Sequence, residues 1–562
     1  MLSLAVYFIC QAAAIAQVLE LNEGKVQGFE YETEKDDIAE VFLNIPFASP
    51  PIGELRFERP QPPKPWLGVR DGTTFGAACV PIVPEATFTD SIKISEDCLS
   101  LNIIRPSPEV SSGHLLPILF YVHGSGFGMF SAVQCGYKGF AEMFAGREVI
   151  VVTIQYRLGV YGFFSTGNEE IPGNMGLFDM AEALKFVHSN AKRIGGDPSR
   201  ITVWGESAGG AAAGHLILSP ITRDHIVRSI EMSGSPWTSF AIGSSVVKNS
   251  LELANALECK EKIKSCMKQK TREEIVDAIR KVGSKTGGYD FVKWGPVIDG
   301  IFLLNPDEMA ATAPPKKSII GVTAKEAIGL ALLGPPLEFF HSLYIDPSTY
   351  STWDRQKLVK KLMEFVMKTY VGNHLSNILQ EVIGFYVDKN EEKHFEFYLE
   401  RYIEFLSDLL FNVPAVDGIL ARRSAGWDIY AYVFDYCPYE FNDKIPERLR
   451  GATHGSEFVY FGDISAVLGR EFEEEEENIA DFLGESLSEF AKNGHPSNNQ
   501  QPWLRIKAGS AIRFMNIAPK CEMKTGFFNE SASFWQKTRK YGFDMVKLLR
   551  TRDDMERVKD EL

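Results

Sequence analysis

Positive charge is the scarcer sign in this 562-residue chain: 59 Lys and Arg stand against 74 Asp and Glu, a formal net charge of -15. An acidic surface of this kind disfavours nucleic acid and anionic membrane as partners. A second long apolar run is also missing. Beyond the N-terminus no stretch of 18 residues is apolar throughout, so no membrane span is expected. The eight cysteines form no CxxC and no Cys/His cluster with metal spacing, which argues against a structural zinc. Neither an internal repeat nor a Gly/Ser- or Pro-rich linker long enough to separate two domains occurs. What is present is 45% hydrophobic and 24% charged, a composition that suits one globular body with a large core.

The two ends read as addresses. "MLSLAVYFICQAAAIAQ" is an apolar run closing on Ala14-Ile15-Ala16, the pattern of a secretory signal peptide over residues 1–16. The last four residues, Lys559-Asp560-Glu561-Leu562, match the signal read by the ER-retrieval receptor. Retrieval matters only to a protein already in the secretory route, so the two readings support each other and imply the ER lumen. That compartment permits disulfides. Loss of Cys10 with the leader leaves seven cysteines, so at least one thiol is free or pairs with another molecule. Asn529-Glu530-Ser531 is a sequon for N-glycosylation.

Between the ends, buried-strand candidates are Pro117–Gly124, Glu148–Tyr156, Arg200–Gly205, Lys317–Thr323 and Asp428–Phe434. Several are nearly continuous apolar runs, as strands covered on both faces require. Leu177–Ile194 has a helical pattern that should stop at Gly195-Gly196. Strand, helix, strand at this rhythm predicts an α/β fold with a large, mostly parallel sheet flanked by helices. It forms one domain over 17–558, with a helical insertion at about 330–425 and the address at 559–562. The acidic run Glu471–Asn478 reads as a solvated helix start.

Gly205-Glu206-Ser207-Ala208-Gly209 fits G-x-S-x-G, with a strand ending at Trp204 and a helix beginning at Ala208. Such a corner holds the serine in a strained conformation with its hydroxyl exposed, and the glycines keep bulk away from the neighbouring strand and helix. A serine hydroxyl needs a base to become a nucleophile. His454, among small residues in "LRGATHGSEFVYFG" after the Asp428–Phe434 strand, can reach the carboxyl edge of the sheet. The orienting acid is Glu326, just past the Lys317–Thr323 strand, or Asp299 in "WGPVIDGIF". Oxyanion donors would be the backbone N–H groups of Ser125 and Gly126 in "YVHGSGFGMF", joined by Ala208. No cofactor is expected for a serine nucleophile activated by a histidine. A free imidazole base predicts activity that declines below about pH 6.5.

These pieces, with "IPFASPPIGELRFERPQPP", "SEDCLSLNI", "QYRLGVYGFF", "PGNMGLFDM", "MSGSPW" and "GPVIDG", resemble the type-B carboxylesterases, the group that includes the cholinesterases and the neuroligins. The likeness runs over roughly residues 20–540. It implies the α/β-hydrolase fold and a serine carboxylesterase with a small-molecule ester as substrate, Ser207 as nucleophile, His454 as base and Glu326 as acid. Glu206 would be an electrostatic neighbour of the nucleophile. Cys79–Cys98 and Cys259–Cys266 would be disulfides, and Arg56–Glu96 and Arg157–Asp179 structural ion pairs. Neuroligins lack the serine, so the presence of both Ser207 and His454 argues against a binding role alone. Three departures from the family stand out. Ser125 replaces the middle glycine of the oxyanion loop, which strains the loop if that position needs positive φ. The Cys79–Cys98 loop has no tryptophan, only Phe88, which argues against choline esters. Cys437 and Cys521 do not fall where the cholinesterases' third disulfide would; they pair with each other or stay apart, and Cys135 is the candidate free thiol.

Overall fold

The nearly continuous apolar runs form the middle of one sheet. The computed structural model describes residues 18–82, 91–107, 113–283, 292–333, 343–370, 372–388, 394–437, 445–463, 471–499, 501–542 and 544. Residues 1–16, Phe88 and Lys559–Leu562 lie outside the described residues. In chain order the strands are β1 (Val18–Glu20), β2 (Lys25–Gln27), β3 (Phe29–Glu32), β4 (Ile38–Pro46), β5 (Val69–Asp71), β6 (Ser100–Pro106) and β7 (Leu116–Val122). There follow β8 (Ile150–Ile154), β9 (Gly196–Glu206), β10 (Arg228–Met232), β11 (Lys317–Thr323), β12 (Asp428–Phe434), β13 (Arg513–Ile517) and β14 (Glu522–Thr525).

Eleven of these make one sheet in the order β14-β13-β12-β11-β10-β9-β7-β8-β6-β4-β3, while β1, β2 and β5 form a separate small one. From β13 across to β8 every pairing is parallel. The pairs β13–β14, β8–β6, β6–β4 and β4–β3 are antiparallel. The parallel strands bury both faces, which is why β7 and β8 are buried throughout and apolar but for Thr153. Ile118, Phe120 and Val122 of β7 face one core, and Leu119 and Tyr121 face the other. Helices Met175–Asn190, Ala208–Leu218 and Val413–Ser424 cover the first face; Lys138–Phe144 and Glu474–Asn493 cover the second.

The expected strands at 317–323 and 428–434 have the expected bounds, and β9 is longer at both ends than expected. The helix expected over 177–194 runs Met175–Asn190, tightens to a 3-10 turn over Ala191–Ile194 and ends at Gly195, φ 84°. Strand β10, "RSIEM", escaped notice because a buried strand with Arg228 and Glu231 in it does not look apolar. The structure explains the acid. Glu231 is buried and accepts two hydrogen bonds from Arg422, at 2.8 and 3.0 Å, with neither side chain exposed. The guanidinium carbon lies 5.3 Å from the Trp237 ring and 5.5 Å from the Trp427 ring. In the acidic run, most carboxylates are exposed, but Glu476 is buried: it accepts from the Glu473 N–H in a capping box.

Both expected disulfides, Cys79–Cys98 and Cys259–Cys266, are formed. Cys135, Cys437 and Cys521 lie outside them, and Cys135 is buried. The two expected ion pairs are also present. Arg56 meets Glu96 at 2.5 Å, and Arg157 clasps the fully buried Asp179 at 2.7 and 2.8 Å. Within 330–425 the described residues form the α-helices Arg355–Thr369, Leu375–Tyr386, Phe395–Ser407 and Val413–Ser424.

Breaking the Arg422–Glu231 pair from one side leaves a buried charge alone. The Arg422→Met variant should lose about 3–5 kcal/mol in urea unfolding. Arg422→Met combined with Glu231→Leu should lose clearly less than the single variant. Equal losses in the two would contradict this account of β10.

Candidate active site

Strand β9 runs to Glu206, and the α-helix Ala208–Leu218 starts two residues later. The residue between them, Ser207, has φ 58° and ψ -126°, a conformation that L-residues rarely adopt. It is held there by its N–H, which donates to the Met232 carbonyl at 2.8 Å, and by its carbonyl, which accepts from Ala211 N–H at 3.0 Å. Glycine is required on both sides. A Cβ on Gly205 would lie 2.2 Å from the Gly209 carbonyl oxygen, and one on Gly209 would lie 2.1 Å from that of Val122. The expected corner is therefore present, with the strand ending at Glu206, two residues past Trp204.

Ser207 Oγ and His454 Nε2 are 2.8 Å apart, and His454 Nδ1 is 2.7 Å from Glu326 Oε2. An ionised carboxylate can only accept, so Nδ1 carries a proton, and in the neutral imidazole Nε2 faces the hydroxyl as acceptor. Glu326 is fully buried. Its other oxygen accepts from Ser233 Oγ at 2.6 Å and from Thr323 N–H at 2.7 Å. The His454 N–H donates to the Glu326 carbonyl at 3.1 Å, which ties the two loops together. Asp299, the rival acid, is occupied elsewhere: its Oδ1 accepts from the N–H groups of Ile301, Phe302 and Leu303.

The loop after β7 passes beside the corner, since a Cβ on Gly124 would come within 3.0 Å of Ser207 Cβ. Ser125, Gly126 and Phe127 follow with φ of 74°, 63° and 57°. Serine thus occupies a left-handed position that favours glycine, the strain expected from the sequence. Ala208 opens its helix, so its N–H has no acceptor one turn earlier and lies at the positive end of the helix dipole.

Charge gathers around the imidazole. Glu206 Oε1 is 3.3 Å from His454 Nε2, and Glu457 accepts from Tyr432 Oη at 3.0 Å close by. Burial disfavours the imidazolium, but Glu206, the hydrogen bond to Glu326 and the charges of Glu326 and Glu457 outweigh it. The group is raised to about 9. Burial pushes the Glu206 and Glu457 carboxyls up to about 7 and about 8. The free imidazole value of about 6.5 does not apply here, and a neutral imidazole is reached at higher pH.

Sequence reasoning missed Ser233, Thr323, Glu457 and Tyr432. Ser233 lies in the quoted "MSGSPW" and, with φ 48°, is itself strained. Its contact with Glu326 spans 93 residues, and no local pattern announces it.

The carboxylesterase family model matches residues 15–535. Gut esterase 1 of Caenorhabditis elegans is 37% identical, over 94% of this chain and 94% of the relative. Gut esterase 1 of Caenorhabditis briggsae is 37% identical over 100% and 99%. Carboxylesterase 1D of Mus musculus is 30% identical over 89% of each.

Replacing Glu206 by glutamine keeps its shape and removes its charge. The variant should lower the His454 pKa by about one unit, read by NMR titration of the imidazole Cε1–H. An unchanged value would contradict the electrostatics described here.

Proposed function

The chain belongs to the carboxylesterase family and is a carboxylic-ester hydrolase, and from that premise we propose that Ser207, His454 and Glu326 carry out the reaction. Support comes from one observation above all, the continuous chain from hydroxyl to imidazole to buried carboxylate at 2.8 and 2.7 Å. Ser207 Oγ attacks the ester carbonyl while His454 Nε2 takes its proton. Glu326 orients the imidazole and stabilises the imidazolium. The negative oxygen of the tetrahedral intermediate accepts from the N–H groups of Ser125, Gly126 and Ala208. Collapse breaks the bond to the alkoxy oxygen, which leaves as alcohol with the proton from Nε2. Water, deprotonated by the same nitrogen, then attacks the acyl-enzyme and releases the carboxylic acid and Ser207.

Glu206 sets the charge beside this nitrogen. A protonated Nε2–H has two acceptors within reach, Ser207 Oγ and Glu206 Oε1, so Glu206 stabilises the charged base before reaction as well as during it. The base must be neutral to act. The raised imidazole pKa therefore places the acid limb of activity above the free value of about 6.5. Uncharged esters are the proposed substrates, because the Cys79–Cys98 loop offers no tryptophan for a quaternary ammonium. The proposed setting is the ER lumen, with residues 1–16 removed, Asn529 glycosylated and Lys559–Leu562 read by the retrieval receptor. Asn529 is exposed, at the start of the helix Asn529–Thr538.

A radioactive organophosphate should label Ser207 and nothing else on peptide mapping. Ser207→Ala should lower kcat by on the order of 10⁴-fold or more. Label on another residue, or an acid limb at or below about pH 6.5 on a neutral ester, would overturn the assignment.

A further inference from the structure

The imidazole of His454 has its rim engaged by Glu326, Ser207 and Glu206, which leaves its faces. Against one of them lies Phe411, with ring centroids 4.5 Å apart and planes inclined by 38°. The phenyl is 6% exposed and is backed by Phe240, at 5.7 Å between centroids. Phe411 sits on a single π turn, Asp408–Asn412, between the α-helices Phe395–Ser407 and Val413–Ser424. A π turn in an otherwise regular helix gives up good hydrogen-bond geometry, and such turns gather at functional positions.

This turn is fastened from several directions. Ser407 Oγ accepts from Ala327 N–H at 3.0 Å, so the turn is tied to the backbone next to Glu326. Thr238 Oγ1 donates to the Leu410 carbonyl at 2.7 Å. Tyr386 Oη donates to Asp408 Oδ2 at 2.8 Å and accepts from Trp535 Nε1–H at 2.9 Å. The Asn412 amide donates to Asp408 Oδ1 at 2.9 Å. The bonds to the turn come from three separate parts of the chain, at Thr238, Ala327 and Tyr386, and hold it next to Phe411.

We propose that Phe411 is a positioning residue of the esterase reaction, its ring face holding the His454 imidazole in line between Ser207 and Glu326 and favouring the imidazolium as it forms. The inference rests on the reading of His454 as the base. An aromatic face within about 6 Å attracts a cation through its quadrupole and does little for a neutral ring. The contact is therefore stronger when Nε2 has taken the serine proton, the condition for lowering a barrier and not merely binding a ground state. The charged groups facing the imidazole are Glu206 at the end of β9, Glu326 after β11 and Glu457 on its own loop. All three favour the same protonation state, so Phe411 adds to them. A ring that only filled space would be replaced by leucine without effect on the proton affinity of His454.

The test uses the full-length protein with p-nitrophenyl butyrate. In Phe411→Leu the acid limb of kcat/KM should move down by about half a pH unit, and kcat on the alkaline plateau should fall several-fold with little change in KM. Phe411→Tyr, which keeps the ring face, should restore the limb toward the parent value. If Phe411→Leu does not fold, Phe411→Met gives the same comparison with a more adaptable side chain. A leucine or methionine variant with the parent acid limb and plateau kcat overturns the inference. Organophosphate labelling of the parent separates the two levels: failure to label Ser207 removes the reading of the base, whereas normal labelling with an unmoved limb removes only the role of Phe411.

Discussion

The backbone of Ser207 sits where an L-residue resists being put, and the site is organised around holding it there. A conformation of this kind costs on the order of 1–3 kcal/mol and persists only when its surroundings leave no alternative. The surroundings here are specific. Strand β9 arrives with its hydrogen bonds to β7 and β10 intact, and the next helix begins at once. The Met232 carbonyl takes the Ser207 N–H, and backbone crowds Gly205 and Gly209 to within about van der Waals contact or less of any added carbon. The strain points a hydroxyl away from the sheet and brings a helix N-terminus beside it. On the proposed reading both consequences serve the same reaction, one as nucleophile and the other as oxyanion donor.

A second constraint is electrostatic. His454 is placed among three carboxylates, Glu206, Glu326 and Glu457, whose charges favour its protonated form. The buried Glu326 carboxyl is fixed by two further donors, Ser233 Oγ and Thr323 N–H, which hold it against the imidazole. Glu206 and Glu457 lack so complete a set, and burial raises both. Elsewhere the molecule solves the same problem with arginine: Arg157 for Asp179 and Arg422 for Glu231. Those pairs fix packing. The carboxylates near His454 raise the pH at which its imidazole loses its proton.

The parts of this arrangement that the sequence revealed are those carried by local pattern. Strands β7, β8, β11 and β12 announce themselves as apolar runs, and the corner announces itself by glycine on both sides of one serine. His454 stands out as a histidine among small residues after a strand. Long-range choices were less legible. Spacing alone left Glu326 and Asp299 both open as the acid; in the fold Glu326 meets His454 Nδ1 at 2.7 Å, while Asp299 serves three backbone N–H groups. The disulfides came from resemblance, not from the chain's own pattern. Strand β10 was hidden by a buried acid whose partner lies 191 residues away. The π turn under Phe411 was invisible because its cause is a set of side-chain bonds gathered from distant segments.

A crystal structure of the protein phosphonylated by an uncharged organophosphonate tests most directly whether the strained corner aims the hydroxyl at the donors. The account predicts a bond from Ser207 Oγ to phosphorus and a phosphonyl oxygen about 2.7–3.1 Å from the nitrogens of Ser125, Gly126 and Ala208. The Ser125 backbone should keep its positive φ. A phosphonyl oxygen turned toward solvent, or a relaxed Ser207 with its helix start displaced, would contradict it.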